Sequence, residues 1–329
     1  MNKVSLFLRR CLSLLLLTFT ITSHGIAQRF EPRIVFASNH DGNWNGNWDI
    51  YSMDVNGDNL VQLTDHPGSD NHPSGSPDGK RITFTSRRGL TPDLYVMDSD
   101  GNDVIRLTQD NFGEARSSWS PDSRKIAFAS FCKLNCDIFT VDANGANRTR
   151  VAEHEMQDVE PAWSPDGSKI AFVSAPNFGA LDPRHIFVMN ADGTERRNLT
   201  GDTNLKYNHN PSWSPDGRKI VFQSQRPFEG YDIYVITAEG KNLKQLTQEG
   251  NNRMPAYSPD GRKIAFASSR EGDFNIYLMD TNGRNAVKLT ATPPGTESIS
   301  PSWLPSPLAV FPNGKLPTSW GVLKRSGNP

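Results

Sequence analysis

Two histidines and a glutamate in this sequence could together bind a divalent cation. His72 and His209 each come just before a short predicted strand, and Glu160 stands at the corresponding place before a third. Imidazole nitrogens and carboxylate oxygens are common ligands of divalent metals. The alternative is that these polar side chains line the mouth of a water-filled channel. The residues favour this alternative, so we expect no metal and no other cofactor.

Other catalytic patterns are missing from the sequence. Serine hydrolysis on an α/β-hydrolase domain uses a Gly-x-Ser-x-Gly elbow, and no such elbow occurs in the 329 residues. A Gly-rich phosphate loop and paired catalytic carboxylates are not evident either. We therefore predict a non-enzymatic protein with no catalytic residues.

A repeat determines where these side chains can lie. Ser-Pro-Asp-Gly, or a near copy, begins at Ser76, Ser120, Ser164, Ser214 and Ser258, with steps of 44, 44, 50 and 44 residues. A period of this length is typical of the blades of a β-propeller.

Each repeat contains four segments that read as strands. Examples are Pro211-Ser212-Trp213 before the turn, Lys169–Val173 after it, then Asp232–Val235 and Leu243–Thr247. Apolar and polar residues alternate in the longer segments, a period that predicts strands and not helices. The sequence therefore predicts an all-β protein with four-stranded blades.

The two ends of the repeat region complete each other. The chain enters in the middle of a repeat and supplies three strands, at 33–38, 49–53 and 60–64, while the missing inner strand follows at 300–303. Sharing one blade between the termini pairs the edges that a linear array would leave open. We predict a six-bladed propeller whose first blade combines three N-terminal strands with one C-terminal strand.

The repeat resembles that of the TolB-like propellers, relatives of the WD40 proteins. It follows the pattern Pro-x-Trp-Ser-Pro-Asp-Gly-Lys-x-Ile-Ala-Phe, then Ile-Tyr-Val-Met-Asp-x-Asp-Gly and Leu-Thr, across residues 33 to 304. Gly75, Tyr257 and Leu304 depart from it, which suggests local repacking. TolB itself carries an α/β domain before the propeller, and here the first segment leads directly into strand sequence.

The resemblance implies a function and a rival function. TolB-like propellers imply a binding or scaffold module for protein–protein interaction in the bacterial cell envelope. Oligogalacturonate lyases are similar to TolB-like propellers and hold a metal with histidines near the axis. The rival is therefore a metal-dependent lyase acting on an acidic polysaccharide through His72 and His209.

The N-terminal segment of the chain predicts export. Lys3, Arg9 and Arg10 precede an apolar run over 11–21, and small residues at 25 and 27 fit signal-peptidase cleavage after Ala27. The run is too short to span a bilayer. We expect a signal peptide at 1–27, a propeller at 28–304, a Pro-rich tail at 305–329 and no transmembrane segment after cleavage, in a periplasmic or secreted protein.

Charge narrows the choice of partner. Loss of Lys3, Arg9 and Arg10 leaves 32 basic and 36 acidic side chains, a net charge of −4. Nucleic-acid-binding proteins usually carry a basic face, so we expect no nucleic acid. The predicted partner is another envelope or secreted protein, and the chain itself is expected to be monomeric.

The predicted binding residues lie on one rim. The Ser-Pro-Asp-Gly and Asp-x-Asn-Gly turns share the opposite rim and are nearly uniform, whereas the loops of the other rim vary, as recognition loops do. We call the rim with the uniform turns the turn rim and the rim with the varying loops the variable rim. Trp44, Phe178 and Phe228 are the candidate exposed anchors. The residues predicted to bind at the channel mouth and variable rim are Trp44, His72, Arg116, Glu160, Phe178, His209, Asn210, Phe228 and Arg253.

Other recurring residues are predicted to be structural. Trp119, Trp163, Trp213 and Trp303 occur once per blade beside the turn and should pack between blades. Arg87, Arg226 and Arg270 occupy equivalent places and should make one repeated structural contact. Cys132 and Cys136 could form a short disulfide or remain thiols, and the sequence does not decide between the two.

Overall fold

A computed structural model describes residues 31–39, 47–109, 112–132, 135–151, 154–176, 182–226 and 230–306. These residues form 24 strands, numbered β1 to β24 along the chain, in six antiparallel sheets of four strands each. Each sheet is one blade. The predicted signal peptide and most of the predicted tail lie outside the described residues. In the described part of the chain, no helix has the length and apolar character needed to cross a membrane.

The first three blades, from the inner strand outwards, have the following bounds. Blade 1 contains β24 (Ser298–Leu304), β1 (Arg33–Ser38), β2 (Asp49–Asp54) and β3 (Val61–Gln62). Blade 2 contains β4 (Asp70–Gly75), β5 (Arg81–Ser86), β6 (Asp93–Asp98) and β7 (Ile105–Arg106). Blade 3 contains β8 (Glu114–Trp119), β9 (Lys125–Cys132), β10 (Asn135–Asp142) and β11 (Thr149–Arg150).

The remaining three blades repeat the arrangement. Blade 4 contains β12 (Gln157–Trp163), β13 (Lys169–Ala175), β14 (His185–Asn190) and β15 (Arg197–Asn198). Blade 5 contains β16 (Asn208–Trp213), β17 (Lys219–Arg226), β18 (Gly230–Thr237) and β19 (Lys244–Gln245). Blade 6 contains β20 (Asn252–Tyr257), β21 (Lys263–Ser268), β22 (Asn275–Asp280) and β23 (Val287–Lys288).

The shared blade confirms the predicted closure. β24 pairs antiparallel with β1, placing Trp303 opposite Ile34 and Ser302 opposite Val35. The Ser38 hydroxyl also donates to the Glu297 carbonyl at 2.8 Å, across 259 residues of chain. Both ends of the described chain therefore lie in one sheet, and the six-bladed all-β prediction is correct.

A phenylalanine on the second strand of every blade forms the core. These side chains have at most 1% exposure, and each lies near an aromatic ring on the third strand, with centroids 5.8–6.1 Å apart. Burying a side chain of this size stabilises a fold by roughly 1.5–3 kcal/mol. The six are Phe36, Phe84, Phe128, Phe172, Phe222 and Phe266.

Tryptophans pack between neighbouring blades, as predicted. Trp163 packs between blades 3 and 4, but its buried Nε1 has no hydrogen-bond partner among the described residues. The indole N–H groups of Trp119, Trp213 and Trp303 each donate at 3.0 Å to a backbone carbonyl on the inner strand of the preceding blade. All three side chains are buried. Because a buried indole needs an acceptor for its N–H, each contact fixes one blade against the next.

The Ser-Pro-Asp-Gly turns hold themselves together. In blade 4 the Ser164 hydroxyl donates to Asp166 at 2.6 Å and accepts from the Lys169 N–H at 2.9 Å. Gly167 has a φ of +73°, which glycine adopts without strain. The motif recurs because it closes the first hairpin of each blade.

Gly75 and Leu304 both depart from the repeat, and the two positions lie next to each other. Gly75 stands where other blades carry an aromatic residue, and a Cβ there would lie 2.4 Å from the Trp303 carbonyl oxygen and 3.1 Å from the Leu304 Cδ1. Leu304 is buried with Val35, Ile82 and Phe84 in the cluster between blades 1 and 2. Leu304 therefore occupies the space that an aromatic residue at position 75 would need, which is the local repacking the sequence suggested.

The repeated arginine contact exists, but one of its members was misplaced. Arg88, not Arg87, stacks on Phe84 and Tyr95 in blade 2 and pairs with buried Asp70 at 2.9 Å. The two adjacent arginines made the sequence register ambiguous by one residue. Arg270 makes the equivalent contact in blade 6, as predicted, and the side chain of Arg226 lies outside the described residues.

In blades 3 and 4 the arginine that stacks on the two aromatic rings comes from a different position in the repeat. Arg148 stacks on Phe128 and Phe139, and Arg196 stacks on Phe172 and Phe187. Each precedes the fourth strand, at the turn rim, whereas Arg88 and Arg270 follow the second strand at the variable rim. A cation over two aromatic rings is thus supplied from either end of the blade.

We predict that Gly75→Ala lowers the free energy of unfolding by about 2 kcal/mol, because the methyl group has no room beside the Trp303 backbone. Urea denaturation of the purified chain measures the change. Gly89→Ala is the control, because a Cβ at Gly89 meets its nearest atom at an ordinary 3.4 Å. Equal stability of the two variants would show that the close contact is not restrictive.

Candidate functional site at the channel mouth

Every inner strand contains a bulge at the same position. In blade 4, Val159 pairs with Val173 and Ala162 with Ala171, so Glu160 and Pro161 together face a single residue. The first residue of each bulge has a left-handed backbone, with φ between 52° and 58°. These six residues, here called the bulge ring, are His72, Arg116, Glu160, Asn210, Met254 and Ser300.

Proline accompanies the bulge in five of the six blades. A left-handed conformation costs a non-glycine residue roughly 1–2 kcal/mol, yet five of the six bulge-ring residues are followed by proline. Proline disfavours the right-handed helical region for the residue before it and has no N–H to lose from the ladder. The exception is Arg116, which precedes Ser117.

The bulges turn six side chains toward the propeller axis. All six bulge-ring residues line one central cavity of about 310 Å³, which extends along the inner strands to turn-rim residues of blades 4, 5 and 6, namely Pro165, Pro215, Ser258 and Pro259. Because every blade contributes to this cavity, it is the axial channel. The bulge ring therefore determines what the channel mouth offers to a ligand.

The sequence had the places of the two histidines partly wrong. His72 and Glu160 do occupy equivalent positions, but they lie inside the inner strands and not before them. The third equivalent residue is Asn210, and His209 lies one residue earlier, at the position that Arg253 holds in blade 6. Aligning the repeats on the proline of the inner strand would have revealed this offset, because the bulge residue directly precedes that proline in five blades.

Glu160 connects several residues of the channel mouth. Its carboxylate is 3.4 Å from Arg116 Nη1 and 3.1 Å from His209 Nδ1, and it also accepts the Asn210 backbone N–H. Burial alone would raise the pKa of this carboxyl, which is only 7% exposed, but the Arg116 charge and these hydrogen bonds hold the pKa well below its usual range. Glu160 thus links blades 3, 4 and 5 as a carboxylate.

His209 has both ring nitrogens engaged. Arg184 Nη1 lies 2.9 Å from Nε2, and a guanidinium can only donate. Nε2 must therefore accept, and Nδ1 must carry the proton that it donates to Glu160. With this pairing neither nitrogen has a lone pair left for a metal ion.

His72 is held as a neutral imidazole. Burial, with a contribution from the Arg116 charge, lowers the pKa of His72 to about 3, although Glu160 acts in the opposite direction. Its Nδ1 is buried and has no hydrogen-bond partner in the described part of the chain. His72 therefore offers the channel a neutral polar group that the protein leaves unpaired.

Arg253 forms a separate stack on the variable rim. Its guanidinium lies 5.1 Å from the centres of both the Tyr231 and the Phe274 rings, and its Nε donates to Asn251 at 3.1 Å. Tyr231 also contacts the His209 ring edge-on, with the centroids 6.0 Å apart. The stack holds a planar cation in a fixed orientation next to the Glu160 network.

The structure thus sorts the nine predicted site residues into groups. Arg116, Glu160, His209 and Asn210 are in direct contact, His72 shares their cavity, and Arg253 stacks nearby. Trp44, Phe178 and Phe228 lie outside the described residues and stay predictions. Arg184, Tyr231 and Phe274 lie at the ends of loops that the sequence assigns to the variable rim, but they were not among the nine named residues. Met254 and Ser300 were not singled out at all, although each directly precedes a proline.

The donor set does not suit a metal ion. Over the described ranges, no three or more His, Cys, Asp or Glu side chains are grouped so that they could hold one. The oxygens of Glu160 are used by Arg116, His209 and Asn210. What the mouth can do is present fixed hydrogen-bond donors and stacked rings to a partner.

A family model for the TolB β-propeller domain matches residues 19–118, 116–251 and 228–311. The chain belongs to the TolB β-propeller domain family. The matched segments cover nearly all the described blades, in agreement with the repeat. No curated protein matches the chain.

Solved structures of several proteins share the fold. TolB from Acinetobacter baumannii is 20% identical with a TM-score of 0.71, covering 84% of this chain and 67% of that one. A chain of the nidogen/laminin complex is 12% identical with a TM-score of 0.66, covering 84% and 99%. An oligogalacturonate lyase in complex with manganese is 18% identical with a TM-score of 0.55, covering 78% and 73%. At these identities the likeness is one of fold.

We predict that the pH dependence of stability changes in His72→Gln. The unfolded imidazole takes up a proton near pH 6.5, but in the fold the pKa is about 3. The unfolded chain therefore binds more protons between these values, and wild-type stability falls as the pH is lowered through this window. From pH 7 to pH 5 the wild type should lose about 1–2 kcal/mol more than the variant. Urea denaturation of the wild type and of His72→Gln at both pH values tests this, and equal losses in the two proteins would contradict it.

We predict that Glu160→Gln lowers the free energy of unfolding at pH 7 by about 2 kcal/mol, because Arg116 loses its charged partner. The pKa of Glu160 in the fold lies below the unfolded value of about 4.3. The wild-type advantage is therefore complete above that value and shrinks as the pH falls further. Thermal and urea unfolding from pH 7 to pH 3 measure it. A constant difference across this range would contradict the assignment.

Proposed function

We propose that the chain is an exported, non-enzymatic binding module that presents its variable rim and channel mouth to another protein of the cell envelope or outside the cell. The observation that carries this proposal is the Arg253 stack between Tyr231 and Phe274 beside the Glu160 network. Arginine and aromatic side chains supply much of the binding energy in protein interfaces. Export rests on the sequence of residues 1–27.

The difference between the two rims supports the assignment of the binding face. The turn rim repeats one hydrogen-bonded Ser-Pro-Asp unit five times, which serves the hairpins themselves. The variable rim differs from blade to blade and exposes apolar side chains, among them Leu90 and Phe131. Variable loops on a rigid scaffold are where binding function is usually placed.

Membership of the TolB β-propeller domain family agrees with this function. A propeller of similar fold occurs in the nidogen/laminin complex, an assembly of proteins. The lyase alternative has a structural neighbour as well. It is less well supported, because His209 and Glu160, two of its three proposed ligands, are engaged with Arg184 and Arg116.

We expect affinity capture from the native envelope fraction to recover a partner with the mature wild-type chain and to lose it with Arg253→Ala combined with Tyr231→Ala. Arg262→Ala is the matched control, since Arg262 is an exposed arginine on the turn rim. Trp44→Ala with Phe228→Ala tests the sequence-predicted anchors in the same assay. Unchanged capture by the Arg253 variant, or formation of unsaturated products from oligogalacturonate with manganese, would contradict the proposal.

A further inference from the structure

The channel mouth carries hydrogen-bond donors that the protein does not use. Within the described residues, Arg116 pairs with Glu160 through Nη1 at 3.4 Å, and its side chain is 27% exposed. A guanidinium has five N–H donors and no acceptor. Most of the donors on Arg116 therefore remain for water or for a ligand in the channel.

His72 adds a second unpaired group in the same cavity. Its Nδ1 is buried and lacks a hydrogen-bond partner among the residues that the structure describes. Buried polar atoms in native proteins are nearly always paired, with protein, ordered water or a ligand. His72 and Arg116 belong to adjacent blades and lie at the same level of the bulge ring. They are thus placed to hold one group between them.

The one acid of the bulge ring engages Arg116 at a single nitrogen. Glu160 is almost fully buried, forms an ion pair with Arg116 at 3.4 Å, and accepts hydrogen bonds from His209 and the Asn210 N–H. Across the ring, in blade 6, Arg253 Nε donates to Asn251, and Glu297 lies within reach of the Arg253 charge. The bulge ring and the residue before each of its members therefore contain two arginines and one glutamate, a positive excess that favours an anion.

We propose that the channel mouth binds a side-chain carboxylate of an acidic peptide segment of the partner, with Arg116 and His72 as the donors. This inference rests on the proposed binding function. An ionised carboxylate only accepts hydrogen bonds and matches the guanidinium fork geometrically. The cavity of about 310 Å³ is at the lower end of ligand-site volumes and suits a side chain entering from an extended segment.

The surroundings of the mouth favour a peptide over a uronic-acid polymer. Tyr231, Phe274 and Arg253 form a compact stack on the rim, with the side-chain types that are enriched in protein interfaces. Arg253 would meet a second acidic residue of the same segment, because it lies on the other side of the ring from Arg116.

The test measures binding of two labelled peptides, both amidated at the C-terminus, by fluorescence anisotropy at neutral pH and physiological salt. One alternates glutamate with glycine over six residues, and the other replaces each glutamate by glutamine. We expect the glutamate peptide to bind the mature wild-type chain and the glutamine peptide to bind at least tenfold more weakly. Arg116→Gln and His72→Phe should each weaken the glutamate peptide about tenfold, whereas Arg262→Gln on the turn rim should leave it unchanged.

Arg116→Lys provides a second variant if Arg116→Gln does not fold, as judged by circular dichroism. It keeps the charge but not the planar fork, and should weaken the peptide several-fold. Equal binding of both peptides, equal loss in Arg262→Gln, or no binding of the glutamate peptide would overturn the inference. Oligogalacturonate binding that depends on Arg116, without peptide binding, would overturn it in favour of a polysaccharide. If the partner is still captured through Arg253 and Tyr231 while acidic peptides fail to bind, the result contradicts this inference but not the proposed binding function.

Discussion

The antiparallel pairing of β24 with β1 is the interaction on which the propeller depends. Each blade buries one face against the next, so a ring without this pairing would leave the faces of two blades and two strand edges open to water. The contact joins residues more than 250 positions apart. Pairing at such long range is associated with slow folding. It also changes the local packing. Leu304 replaces the turn serine at the junction, and Gly75 in the neighbouring blade provides the space that Leu304 fills.

Closure brings six bulges to one axis, and the bulges create the site. An unbroken inner strand would alternate its side chains across the two faces of the blade. A left-handed residue breaks this alternation once per blade. Six different side chains thus occupy equivalent positions around the channel. Their identities vary while the backbone stays constant, so the ligand preference can change without a change in fold.

In several blades a buried acid is paired with an arginine, but the arginine comes from different positions in the repeat. Buried Asp70, Glu114 and Asp158 lie in the first two positions of three successive inner strands and need a positive partner. Arg88 reaches its acid from the variable rim, whereas Arg148 and Arg196 reach theirs from the turn rim. The aromatic pair on the second and third strands guides the guanidinium in each case. This use of arginine is structural, in contrast to Arg253, whose aromatic partners belong to two different blades.

The amino-acid sequence by itself determined the blade count, the strand order, the shared blade and the separation of the two rims, because each follows from local patterns repeated at a fixed period. It also selected His72, Arg116, Glu160, His209, Asn210 and Arg253 as residues near the mouth. Only the tertiary structure decided how they pair. The offset of His209, the link from Glu160 to three blades and the stack of Arg253 with Tyr231 and Phe274 depend on contacts between blades. Local periodicity carries no information about which side chains of neighbouring blades meet, since that is set by the bulge geometry and by the rotation from one blade to the next.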